Sequence, residues 1–99
     1  MAPTPKGRYV IIRSTNAGCF AGTLESREGD EVVLMNARRL WFWAGAASLS
    51  QLAMEGTSKP SECKFTVPVA HHEILGVIEV LSVTEAARKS IAAVAEWRS

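Results

Sequence analysis

The chain has 99 residues, 47% of them hydrophobic and 21% charged, with 11 Lys and Arg against 10 Asp and Glu. That is enough for one compact core and too apolar for a chain that stays unfolded. A formal charge of +1 lacks the basic excess that holds a phosphate backbone, so polymeric nucleic acid is not an expected partner.

No apolar run approaches the roughly 18 residues that cross a bilayer, so no membrane partner is expected. The opening Met-Ala-Pro-Thr-Pro-Lys-Gly-Arg has no apolar centre and is not read as a secretory signal. Cys19 and Cys63 stand far apart without a CxxC, which reads as two reduced thiols in a cytosolic compartment.

Residues 1–7 read as a flexible tail, because two prolines in five positions forbid a helix. A single globular domain is expected over 8–99. Tyr9–Ser14, rich in β-branched and aromatic residues, is a predicted strand, and 15–18 a turn built on Asn16 and Gly18. A second strand is predicted over 19–26, a hairpin connection over 27–30, and a third strand over 31–35 that is apolar on both faces. The fourth is predicted over 38–45, where alternation puts Arg39, Trp41 and Trp43 on one face and Leu40, Phe42 and Ala44 on the other.

Ser48 and Gln51 then form a capping box ahead of a short helical insertion, about 48–55, which Gly56 stops. A loop over 57–61 leads to a fifth strand over 64–69, with Pro68 confining it to an edge. His71 and His72 read as a polar turn, and 73–82 as a long strand bent at Gly76. Thr84 caps a C-terminal helix, about 84–97, that packs through Ala87, Ile91, Val94 and Arg98. The expected fold is therefore α+β and mostly β: a small curved antiparallel sheet or an SH3- or Sm-like barrel, carrying the helical insertion and the closing helix. Such a sheet must hide its edges, and a symmetric homo-oligomer is a common way to do so.

Catalytic groups are sparse. There is no HExxH, no GxSxG and no phosphate-binding glycine loop, and Asp30 is the only aspartate. Neighbouring side chains on extended chain point apart, so His71 and His72 are poorly placed to share a metal. No catalytic residue, metal site or cofactor is expected.

The richer region is 38–59. Tryptophans beside arginines can stack a nucleobase and hold its phosphate, and the start of the insertion helix offers backbone amides to an anion. The candidate ligand-binding set is Arg39, Trp41, Trp43, Ser48, Ser50, Gln51, Ser58 and Lys59. The same residues have a plain structural reading: paired tryptophans on a strand are common in cores and interfaces, and the capping box consumes donors an anion would want.

The run from Arg38 to Ala53, Arg-Arg-Leu-Trp-Phe-Trp-Ala-Gly-Ala-Ala-Ser-Leu-Ser-Gln-Leu-Ala, resembles a small family of uncharacterised phage and prophage proteins. Lys59-Pro60, Cys63-Lys64-Phe65, Tyr9–Ser14 and Phe20-Ala21-Gly22-Thr23-Leu24 carry the same resemblance, which spans roughly residues 8–97. It supplies no catalytic residues. By class, it implies a host-cytoplasmic protein similar to phage anti-defence oligomers that sequester nucleotide signals. The leading expectation is thus a non-enzymatic protein holding a cyclic or ADP-ribose-type nucleotide and so blocking anti-phage defence. Three alternatives stay open: a phage structural or protein–protein module using the Trp41 and Trp43 face, a single-strand nucleic-acid binder, and a nucleotide hydrolase.

Overall fold

The computed structural model describes residues 7–99. Its six strands are β1 (Tyr9–Ser14), β2 (Gly18–Glu28), β3 (Glu31–Phe42), β4 (Lys64–Phe65), β5 (Val69–Ile74) and β6 (Val77–Ser82), with helices α1 (Leu49–Glu55) and α2 (Glu85–Ala92). They form one antiparallel sheet in the order β4-β3-β2-β1-β6, and β5 pairs with β3 beside β4. The sheet is curled but not closed: β5 and β6 are joined only through Leu75 and Gly76 yet lie at opposite edges. Of the two expected forms, the open curved sheet is the one that occurs.

Both faces of this sheet are buried, which explains why Val10, Ile11 and Ile12 are all fully inside. Val10 and Ile12 face the hollow of the curl with Phe20, Leu24, Val32, Leu34, Ala37 and Ile74. Ile11 faces the other way, onto α1 and α2, with Ala21, Leu40, Leu52, Phe65, Ile91 and Val94. Period-two alternation assigns each residue to one of the two cores. Cys19 and Cys63 are free thiols on the helix side.

The predicted third and fourth strands are one. Asn36 and Ala37 read as a break, but the chain passes through them as a bulge with Asn36 at φ 54°. Asparagine tolerates that left-handed conformation. Ala21 and Thr23 of β2 face Arg38 and Met35, so β3 holds one extra residue there. Leu34 and Ala37, an odd number apart, therefore face the same core, and Arg39 continues on that side.

Other departures are local. The polar turn expected at His71 and His72 is strand: they pair with Met35 and Leu34. The fifth strand is only Lys64–Phe65, ending before Pro68. Ser48 does cap α1, its hydroxyl accepting the Gln51 N–H at 3.1 Å, while the Gln51 carboxamide oxygen accepts from Ala47 rather than from Ser48. Gly56 closes the helix at φ 78°. The expected tail lies outside the described residues except for Gly7, whose N–H bonds the Leu24 carbonyl. No helix of the described residues is long and apolar enough to cross a membrane.

The C-terminal helix stops at Ala92, short of the expected 97. Beyond it the chain straightens, Glu96 bridges Phe65 in parallel fashion, and the Trp97 N–H bonds the Phe65 carbonyl. No residue after Ala92 breaks a helix by propensity, so the tertiary partner decides. That partner is Arg38, buried beneath the tail. Its Nε donates to Thr66 O, Nη1 to Ile91 O, and Nη2 to Phe65 O and Ala95 O, at 2.9 to 3.3 Å.

Candidate functional site

β3 carries the site because its two ends differ. From Ala37 the strand leaves the core and its outward face continues as Arg39 and Trp41. The Arg39 guanidinium lies 4.8 Å over the Phe20 ring, and Phe20 in turn meets the His72 ring edge-on at 5.0 Å. Arg39 and Thr66 are tied by two bonds: Thr66 N–H to Arg39 O, and Arg39 N–H to Thr66 Oγ1.

Two residues on, Trp41 is 63% exposed and stacks on Trp97 with ring centroids 6.0 Å apart and planes 16° apart. The Lys64 ammonium sits 5.5 Å over the Trp97 ring. Phe42, the next residue along the chain, is also exposed. The result is an aromatic platform open to solvent, with the Lys64 cation over one indole. Arg98, next along, is paired with Glu96.

The expected site residues divide into two groups. Arg39 and Trp41 share a face as alternation predicts. Trp43 does not join them: β3 ends at Phe42, the pairing with β4 slips between Leu40 and Phe42, and Trp43 packs against the helix-side core. Phe42, expected on the face opposite Trp41, is half exposed. Alternation holds only while the strand is regular.

The second group lies in the insertion, and its polar groups serve the chain's own backbone. Ser48 and Gln51 cap α1. Ser58 donates both its hydroxyl and its N–H to Gly45 O, and the Lys59 N–H bonds Thr57 Oγ1. Gly45 sits at φ 79°, and a Cβ there would collide with the Lys59 amide, so the loop is closed tightly over it. Ser50 and Lys59 present exposed side chains. The structure thus brings Arg39 and Trp41 together and leaves Ser48, Gln51 and Ser58 as fasteners of the insertion.

Sequence reasoning missed Trp97, Lys64, Thr66 and His72. Local pattern puts Trp97 on a helix and His72 in a turn, and neither reading brings them to the β3 face. Spacing offers no signal for either, since both arrive from distant segments.

Near Arg39 the face dips into a cleft of about 240 Å³, lined by Ala37, Arg39, Thr66, Val67, Val69 and His72. His72 is held neutral: burial lowers its pKa below the ordinary 6.5, and the Arg39 charge lowers it further. The unfolded chain therefore binds a proton at this position more readily than the fold does. Stability associated with His72 is complete above pH ~6.5 and is lost as pH falls through the lower, folded value. Urea unfolding at pH 7 and at pH 5 is expected to show a smaller acid loss for His72→Gln than for the parent. Equal losses would mean His72 contributes nothing.

Among the described residues there is no group of three or more His, Cys, Asp and Glu able to hold a metal. Residues 7–91 match the family model described as Domain of unknown function (DUF6948). No curated protein and no solved structure matches the chain.

Proposed function

We propose that this chain, which belongs to the DUF6948 family, is a binding module that holds a small nucleotide on the open face of β3. The observation that carries the reading is the exposed, stacked Trp41 and Trp97 pair with cations on either side, Lys64 over one indole and Arg39 two residues from the other. Every base has a π-face, so an exposed indole accepts any of them, and flanking cations meet the phosphate. Stacking contributes roughly 1–3 kcal/mol per base.

Retention without turnover fits this surface. Phosphoryl transfer relies on groups fixed in a water-excluded site, and Trp41 stands 63% exposed. The resemblance to phage proteins directs the first choice of ligand to cyclic and ADP-ribose-type signalling nucleotides. Sequestering such a signal in the host cytoplasm, and so blunting anti-phage defence, is the role we propose. A second reading draws on Phe42, which lies exposed beside the indoles without a polar task. There, Trp41, Phe42 and Trp97 anchor a protein interface, as aromatic residues often do.

The test is to incubate the protein with a panel of cyclic di- and trinucleotides and ADP-ribose derivatives, remove free ligand, denature, and analyse what is released. Intact ligand with quenched tryptophan fluorescence is the expected result. Trp41→Ala is expected to weaken binding about 5- to 150-fold, the equivalent of one lost stack. Absence of uptake across the panel overturns the nucleotide reading, and altered ligand means an enzyme. A lower native mass for Trp41→Ala, without ligand uptake by the parent, transfers the face to the interface reading.

A further inference from the structure

The cleft beside Arg39 has features that the indole platform does not explain. Arg39 is exposed, and among the described residues no carboxylate pairs with its guanidinium. Phe20 fixes that guanidinium from below at 4.8 Å, so the group is oriented but its charge is unspent. Thr66 Oγ1 already accepts the Arg39 N–H at 2.9 Å, which leaves the hydroxyl hydrogen free to donate outward. Across the cleft, His72 has a buried Nδ1 without a hydrogen-bond partner. Leaving such an atom unpaired is costly, and native structures rarely do so without a reason. The remaining lining, Ala37, Val67 and Val69, is apolar and lowers the local dielectric.

A forked cation, a hydroxyl donor and an imidazole around an apolar floor suit one compact anion. We propose that this cleft is a phosphate subsite, in which Arg39, Thr66 and His72 hold the phosphate of the ligand whose base rests on Trp41. The proposal rests on the nucleotide reading above and names where its charged end goes. The geometry agrees: Arg39 and Trp41 are two residues apart on one face of β3, about 7 Å along an extended strand. That is the order of the span between a nucleotide's base and its phosphate.

The subsite also carries a pH dependence. The charged and titratable groups around His72 are Arg39 from β3, and His71 and Glu73 from its own strand; Phe20 and the 15–18 turn bring none to it. Burial keeps a proton off His72, and the Arg39 charge beside it repels one further. An anion seated between them reverses that, so binding takes up a proton and tightens as pH falls through the ordinary histidine range.

The probes are inorganic phosphate, which tests the cleft without the stack, and adenosine, which tests the stack without the cleft. Titrating phosphate into the full chain is expected to move the His72 ring resonances and to raise the pH at which they titrate. Arg39→Gln should weaken phosphate at least tenfold, and His72→Gln should both weaken it and flatten its pH dependence. Trp41→Ala should leave phosphate unaffected. Phosphate that leaves His72 unmoved, or binds equally to Arg39→Gln, overturns the subsite even if adenosine still quenches Trp41. Phosphate binding with no adenosine or nucleotide uptake keeps the subsite and removes the stacking platform.

Discussion

Replacing Arg38 with alanine lowers the melting temperature by at least about 12 °C. Four backbone carbonyls converge on this guanidinium, and two of them, Ile91 O and Phe65 O, have other donors in Val94 and Trp97. Thr66 O and Ala95 O depend on Arg38 more heavily. A charge-assisted bond contributes roughly 1.5–3 kcal/mol, so losing these two alone costs about 3 kcal/mol or more. In a domain near 100 residues each kcal/mol moves the midpoint by roughly 4–8 °C. Burial pulls the Arg38 pKa down, while Tyr9 and Glu96 push it back up; the group stays charged in any working buffer. Arg38→Met keeps an apolar stem while removing the guanidinium, whose carbon lies 5.7 Å over the Phe65 ring, and so separates packing of the stem from hydrogen bonding. If the methionine variant melts with the parent, the carbonyls do not need the guanidinium.

Arg38 also accounts for what the sequence could not disclose. A pair of adjacent arginines on a strand predicts that one faces solvent, and Arg39 does. It does not predict that the other reaches beneath the tail to collect carbonyls from Thr66, Ile91 and Ala95. Those contacts join segments 28 to 57 residues apart, and they end α2 where its local propensity would have continued. Local signals did their part. Ser48, Gly56 and Thr84 mark helix ends through side-chain caps and a positive φ, which depend on neighbours in the chain. Asn36 misled because asparagine serves both turns and bulges, and only the pairing of β2 with β3 decides between them.

The site was half legible for the same reason. Arg39 and Trp41 belong to one strand, so period two places them together. Their companions come from β4 (Lys64), the residue after it (Thr66), β5 (His72) and the tail (Trp97), and only the sheet order brings them to that face. Of the donors expected from the insertion, Ser58 and the Lys59 N–H are spent on closing the loop over Gly45, while the Ser50 and Lys59 side chains stay exposed. A helix start that its own chain caps has little left for an anion.

Phe20→Ala is expected to cost about 3–5 kcal/mol, the usual range for a buried phenyl ring, and so to lower the midpoint by at least about 12 °C. The ring fills the hollow of the curled sheet with Val10, Leu24 and Leu34, and nothing nearby is large enough to occupy its volume. Its effect on the proposed phosphate subsite is the sharper test. Arg39 rests on one side of this ring and His72 meets its edge, so both polar walls of the cleft are positioned by a core residue. Phe20→Leu restores most of the packing and none of the aromatic face. A fold that recovers with leucine, while phosphate binding stays at least about tenfold weak, shows that the ring orients Arg39 through its π-face. Should leucine restore both, Phe20 acts by volume alone, and the guanidinium needs no aromatic ring beneath it.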